Sequence, residues 1–151
     1  MVRVKYLILP ALLLVLFCLG HSRKDDPAFL GPVDMVYSPG QQKLLIAEYY
    51  GKRIDVFDIG QKAVLRTLPL TDHPNNLYVT RDQKKLFVSQ GMAGGKLLVY
   101  DLKKLKKKKE IRAGHSPTAI KESNEHIIIC NRFPGTISFI NKENQIGRAH
   151  V

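Results

Sequence analysis

Past the first twenty or so residues, apolar side chains come in short runs, and turn-forming residues divide the runs. Three segments share this pattern. The first runs Pro32-Val33-Asp34-Met35-Val36-Tyr37, then Lys43-Leu44-Leu45-Ile46-Ala47-Glu48, then Arg53-Ile54-Asp55-Val56-Phe57-Asp58. The second runs Pro74-Asn75-Asn76-Leu77-Tyr78-Val79, then Lys85-Leu86-Phe87-Val88-Ser89-Gln90, then Lys96-Leu97-Leu98-Val99-Tyr100-Asp101. The third runs Pro117-Thr118-Ala119-Ile120, then His126-Ile127-Ile128-Ile129-Cys130-Asn131, then Thr136-Ile137-Ser138-Phe139-Ile140-Asn141. Their opening prolines stand 42 and 43 residues apart. β-Branched and aromatic runs bounded by turn residues predict strands joined by hairpins. A fourth, returning strand is predicted at Ala63-Val64-Leu65-Arg66-Thr67-Leu68 and at Lys108-Lys109-Glu110-Ile111-Arg112. Nothing after the leader keeps a helical period for a useful length.

Four strands in a period of roughly 40 to 45 residues predict the blade of a β-propeller. The expected fold is therefore all-β, a partial β-propeller of about three four-stranded antiparallel blades. Their bounds are about 29–70, 73–113 and 114–144, the last incomplete. The units resemble the YVTN β-propeller repeat, which has a Pro-led strand, a Ser-Pro-Asp-Gly-Lys turn, a Tyr-Val-Thr-Asn strand and a Val-x-Val-Ile-Asp strand. The turn falls on Ser38-Pro39-Gly40-Gln41-Gln42 and Thr80-Arg81-Asp82-Gln83-Lys84. The signature strand falls on Leu45-Ile46-Ala47-Glu48, Phe87-Val88-Ser89-Gln90 and Ile128-Ile129-Cys130-Asn131. The literal Tyr78-Val79-Thr80 lies in a different strand and is coincidental. Because such rings close at about four to eight blades, the resemblance implies a longer natural protein with roughly four or more further blades.

The two ends read differently from the middle. Arg3 and Lys5 precede an apolar run from Tyr6 to Leu19, followed by Gly20 and Ser22. This is the pattern of a secretory signal peptide over residues 1–20, so the protein is expected to be exported to the periplasm, cell surface or medium. The alternatives are an uncleaved anchor and a lipoprotein signal at Cys18, which bulky Phe17 disfavours. Residues 21–28 read as a linker. At the far end, Ile146-Gly147-Arg148-Ala149-His150-Val151 resembles the in-frame translation of a common sequencing adapter, so residues 145–151 are expected to lie outside the fold. Cys130, inside an apolar run, is expected to be a small buried side chain.

Charge adds one feature. The formal net charge is +11, and six lysines fall in one run: Lys103, Lys104, Lys106, Lys107, Lys108 and Lys109. In the repeat frame this run occupies the hairpin between the third and fourth strands of the second blade, on the outer rim. Lysines there block edge pairing, and they can also meet an anionic surface. No aromatic platform for bases is interleaved, so no nucleic acid is expected.

Candidate chemistry is sparse. There is no Ser-His-Asp order, no Gly-rich phosphate loop and no Cys-x-x-Cys-His motif. No catalytic residue and no metal site is therefore assigned. His73 and His115 sit where one unit hands over to the next, which in the family faces the mouth of the central channel. Two histidines fall short of the three or four ligands that a metal needs. Glu48, beside Tyr49 and Tyr50, and Asn131 with Arg132, beside Phe133, are the other candidates for the channel mouth. Asp34 and Glu48 find no match in the other units. The resulting expectation is a non-catalytic exported scaffold that binds a protein or small molecule at the channel face, with no cofactor in this part. A second expectation comes from resemblance alone. Propellers with a strand end like Cys130-Asn131-Arg132-Phe133 can precede a c-type cytochrome domain of the di-haem peroxidase kind, which would carry haem c beyond these residues. A third is a quinoprotein-like or lactonase-like propeller enzyme.

Overall fold

A computed structural model describes residues 29–143. The expected signal peptide, linker and tail lie outside these residues. Every regular element within them is a strand. In chain order the strands are β1 (Pro32–Ser38), β2 (Lys43–Glu48), β3 (Arg53–Asp58), β4 (Ala63–Pro69), β5 (Pro74–Val79), β6 (Lys85–Gln90), β7 (Lys96–Asp101), β8 (Lys106–Arg112), β9 (His115–Glu122), β10 (His126–Phe133) and β11 (Thr136–Asn141). They form three antiparallel sheets, ordered β1-β2-β3-β4, β5-β6-β7-β8 and β9-β10-β11. Each sheet follows the chain as a meander, as short hairpin connections dictate. The third has three strands among the described residues.

The sheets stack face to face, and strand alternation explains how. Successive side chains of a strand point to opposite faces. Leu86, Val88, Leu98 and Tyr100 of the second sheet meet Leu45, Ala47, Ile54 and Val56 of the first. Phe87, Leu97 and Val99 point the other way and meet Ile127, Ile129 and Ile140 of the third. Both faces of the second sheet are thus covered, which is why β6 and β7 carry the unbroken apolar runs Leu86-Phe87-Val88 and Leu97-Leu98-Val99-Tyr100. Burying a Leu or Ile side chain of this kind stabilises by about 1.5–3 kcal/mol. The first sheet has one bare face: Met35, Tyr37 and Val64 are 60%, 46% and 50% exposed.

The inner strands β1, β5 and β9 lie side by side, and one repeat position ties them together. Asp34 Oδ2 accepts hydrogen bonds from the Leu77 amide at 2.7 Å and from Asn76 Nδ2 at 2.6 Å. One unit later Asn76 Oδ1 accepts the Ile120 amide at 2.9 Å. At the inner edges of the second and third sheets a backbone amide faces the preceding sheet, which supplies its acceptor. Asp34 therefore does have a counterpart, in Asn76. The series stops at Ala119, which has no polar side chain.

Two sequence expectations need correction. The fourth strand of the second unit starts at Lys106 and not at Lys108, so within the β7–β8 hairpin Lys103 and Lys104 occupy the turn and Lys106 to Lys109 lie in β8 itself. Among the described residues β8 has a neighbour on one side only, and its lysines are exposed to water at no burial cost. Cys130 is exposed, although Ile127 and Ile129 in the same strand are buried. It points to the opposite face of β10, which no sheet covers among the described residues.

Candidate functional site

All three proline-led strands begin at the same end of the stack, beside the ends of β2, β6 and β10. There the three sheets jointly line a cavity of about 390 Å3. The first sheet contributes Tyr49, the second Asn75 and Met92, and the third Ser116, Thr118 and Arg132. The signal for these positions lies in the repeat itself. Val33, Asn75 and Thr118 each follow an opening proline and all three face this cavity. The sequence reading passed over Asn75, Ser116 and Thr118, because the types differ from unit to unit.

Of the residues expected at the mouth, Arg132 lines this cavity. It is exposed and has no hydrogen-bond or ion-pair partner among the described residues. His73 stands just behind. Its ring stacks on Tyr49 with centroids 4.5 Å apart and planes tilted by 23°. His73 Nδ1 lies 2.9 Å from the Tyr49 carbonyl oxygen, so Nδ1 carries the proton and donates. Tyr49 in turn meets Tyr50 edge-on at 5.2 Å. His115 opens β9, is exposed, and lines a separate cavity with Phe133 and Pro134. The two histidines therefore do not converge. No cluster of three metal-ligating side chains occurs among the described residues.

Glu48 and Asn131 lie inside the stack, 6% and 3% exposed, and not at the mouth. The reason is strand parity: Asn131 shares a face with Ile127 and Ile129, whereas Arg132, one residue on, points away. Asn131 Nδ2 donates to Ser138 Oγ at 2.9 Å and to Thr136 Oγ1 at 3.2 Å. Glu48, Gln90 and Asn131 occupy one repeat position, opposite Pro32, Pro74 and Pro117. Each buries a side-chain oxygen that has no hydrogen-bond partner among the described residues. Burial pushes the Glu48 carboxyl above its ordinary value, the Asp55 charge adds to the rise, and Arg53 opposes it.

A larger cavity, of about 450 Å3, lies at the opposite end between the second and third sheets. Its cations are partly committed. Lys142 pairs with Glu122 at 2.5 Å, and the Arg81 amide and Tyr78 hydroxyl also donate to that carboxylate. Burial opposes ionisation of Glu122, but these donors hold its pKa below the ordinary value. The lysines of β8 form a third feature: Lys108 and Lys109, with Lys84 and Lys85, border a cavity of about 360 Å3 on the outer rim.

No family model matches the chain. Antigen Lp49 of Leptospira interrogans is 27% identical over 104 residues, which is 59% of this chain and 23% of that protein. Among solved structures, hydrazine synthase of Kuenenia stuttgartiensis superposes with a TM-score of 0.71 at 21% identity, over 84% of this chain and 37% of the other. The WD40 repeats of RRP9 superpose with a TM-score of 0.66 at 12% identity, over 81% and 38%. The chain thus spans under two fifths of each of these proteins. The structural likeness establishes the fold, a portion of a β-propeller, which agrees with the radial stack of antiparallel sheets.

Proposed function

We propose that the chain belongs to an exported, non-catalytic propeller of the YVTN-repeat kind, which binds a small molecule or a protein segment at its channel mouth. The observation that carries this reading is the shared cavity. Three sheets each extend side chains from the start of the inner strand, or just past the second strand, into one space of about 390 Å3. Pockets with a few convergent polar groups on apolar walls are where ligands bind, and loops at the end of a rigid scaffold carry function. The leader pattern supports export, and the likeness to a protein named an antigen agrees with it. The lysine rim gives a second contact, to an anionic surface.

A second reading keeps the same fold as scaffold within a larger redox enzyme. The strand end Cys130-Asn131-Arg132-Phe133 and the likeness to a protein named as a synthase favour it.

One experiment separates the two. The exported protein is purified, its absorbance is recorded, and it is then titrated with a library of small fragments under heteronuclear NMR. The binding reading expects no Soret band, and shifts gathered at Tyr49, Asn75, Ser116 and Arg132. A Soret band with a reduced α band, or shifts scattered away from the mouth, would overturn it.

A further inference from the structure

Resting on the channel-mouth reading, we infer that this cavity takes an anionic sugar: a sugar-sized ring bearing one carboxylate or phosphate. The charge comes first. Among the described residues Arg132 is the cavity's one charged lining residue, and no carboxylate lines it. Of the nearby acids, Glu48 is buried inside the stack and does not line the cavity, and two others accept hydrogen bonds. Asp34 accepts from the Leu77 amide and Asn76, and Asp72 accepts from the His73 amide at 2.7 Å. Among the described residues Arg132 is unpaired, so its five donors point to no protein acceptor. A guanidinium matches a carboxylate or phosphate in a two-pronged geometry.

The body of the ligand follows from the other walls. The Ser116 hydroxyl can both donate and accept, whereas the Thr118 hydroxyl donates to the Cys130 carbonyl at 3.3 Å and is left to accept. Asn75 uses its Nδ2 on the Gly91 carbonyl at 3.0 Å, which leaves its Oδ1 free to accept. Ser116 is held at φ 50°, with its amide donating to the Met92 carbonyl at 2.7 Å. Its place at the cavity is therefore set by backbone and not by chance rotation. Opposite these, Tyr49 is braced from behind by the His73 ring, and Met92 is 58% exposed. A rigid aromatic wall, a flexible apolar one, several hydroxyl partners and one cation match the mixed surface of an acidic pyranose. A hydrophobic acid would leave the Ser116 hydroxyl and the Asn75 Oδ1 without ligand partners at a cost.

The test is a titration of the full chain, isotopically labelled, with sodium glucuronate, glucose 6-phosphate and glucose, repeated on Arg132→Met and Arg132→Lys. The inference expects one or both anionic sugars to shift Tyr49, Asn75 and Ser116, about tenfold tighter than glucose, as a charged hydrogen bond contributes. The two anionic arms distinguish carboxylate from phosphate. It expects Arg132→Met to erase that preference and Arg132→Lys to keep part of it. Glucose binding at the mouth as tightly as both anions would overturn the anionic inference and leave the channel-mouth reading standing. Shifts by all three sugars outside the mouth, or none, would overturn both. Arg132 is exposed and unpaired, so its replacement leaves the folded spectrum intact; a collapsed spectrum would show a structural role and contradict the assignment.

Discussion

At the residue scale, Glu48 is the side chain with the clearest physical tension. It carries an acid at a repeat position where Gln90 and Asn131 carry amides, and all three are buried. The folded state holds Glu48 above its ordinary 4.5, so it binds this proton more tightly than the unfolded chain does. Stability from this group is therefore fully present below about 4.5 and is lost as pH rises through the folded value. Glu122 has the opposite sign: its lowered pKa contributes stability above the unfolded value, lost as pH falls. Glu48→Gln, which copies the second sheet, is expected to raise the urea midpoint at pH 7. The gain should shrink toward zero near pH 4. A lower midpoint at pH 7 would mean that the carboxylate makes a bond the fold needs.

At the element scale, the strands were legible because apolar alternation and turn residues agree with the local geometry. The edges were harder. β8 carries lysines where propensity disfavours a strand, and pairing with β7 overrides that preference. The mouth was half legible. Arg132 and Tyr49 stood out by type, whereas Asn75 and Thr118 were hidden because the repeat conserves their place after proline and not their chemistry. Glu48 and Asn131 were misplaced because a one-residue difference in strand parity moves a side chain from the mouth to the core. The lysines also suggest what guards the edge. Lys107 pairs with Tyr100 across the ladder and Lys109 with Val99, so the two charges flank both faces of an open edge. Replacing both with valine is expected to make light scattering rise with protein concentration while circular dichroism stays β-rich. Unchanged scattering would show that the lysines do not protect this edge.

At the scale of the whole molecule, the sheets matter through their order around the inner strands. The mouth exists because β1, β5 and β9 are neighbours at one end of the stack, so a ligand there touches three sheets at once. The bare face of the first sheet, with Met35 and Tyr37 exposed, shows how much apolar surface one sheet leaves when nothing packs on it. The adjacency of the inner strands is written into three hydrogen bonds that no isolated sheet could make, two of them from backbone amides. Amide hydrogen exchange read by NMR tests them directly. The Leu77 amide, held by Asp34, and the Ile120 amide, held by Asn76, should both be protected. In Asp34→Ala, Leu77 should exchange at least tenfold faster, the loss of roughly one hydrogen bond, while Ile120 stays protected. Asn76→Ala should release Ile120. If Leu77 exchanges at the same rate with and without Asp34, the sheets do not stand around a common axis, and the shared mouth does not form.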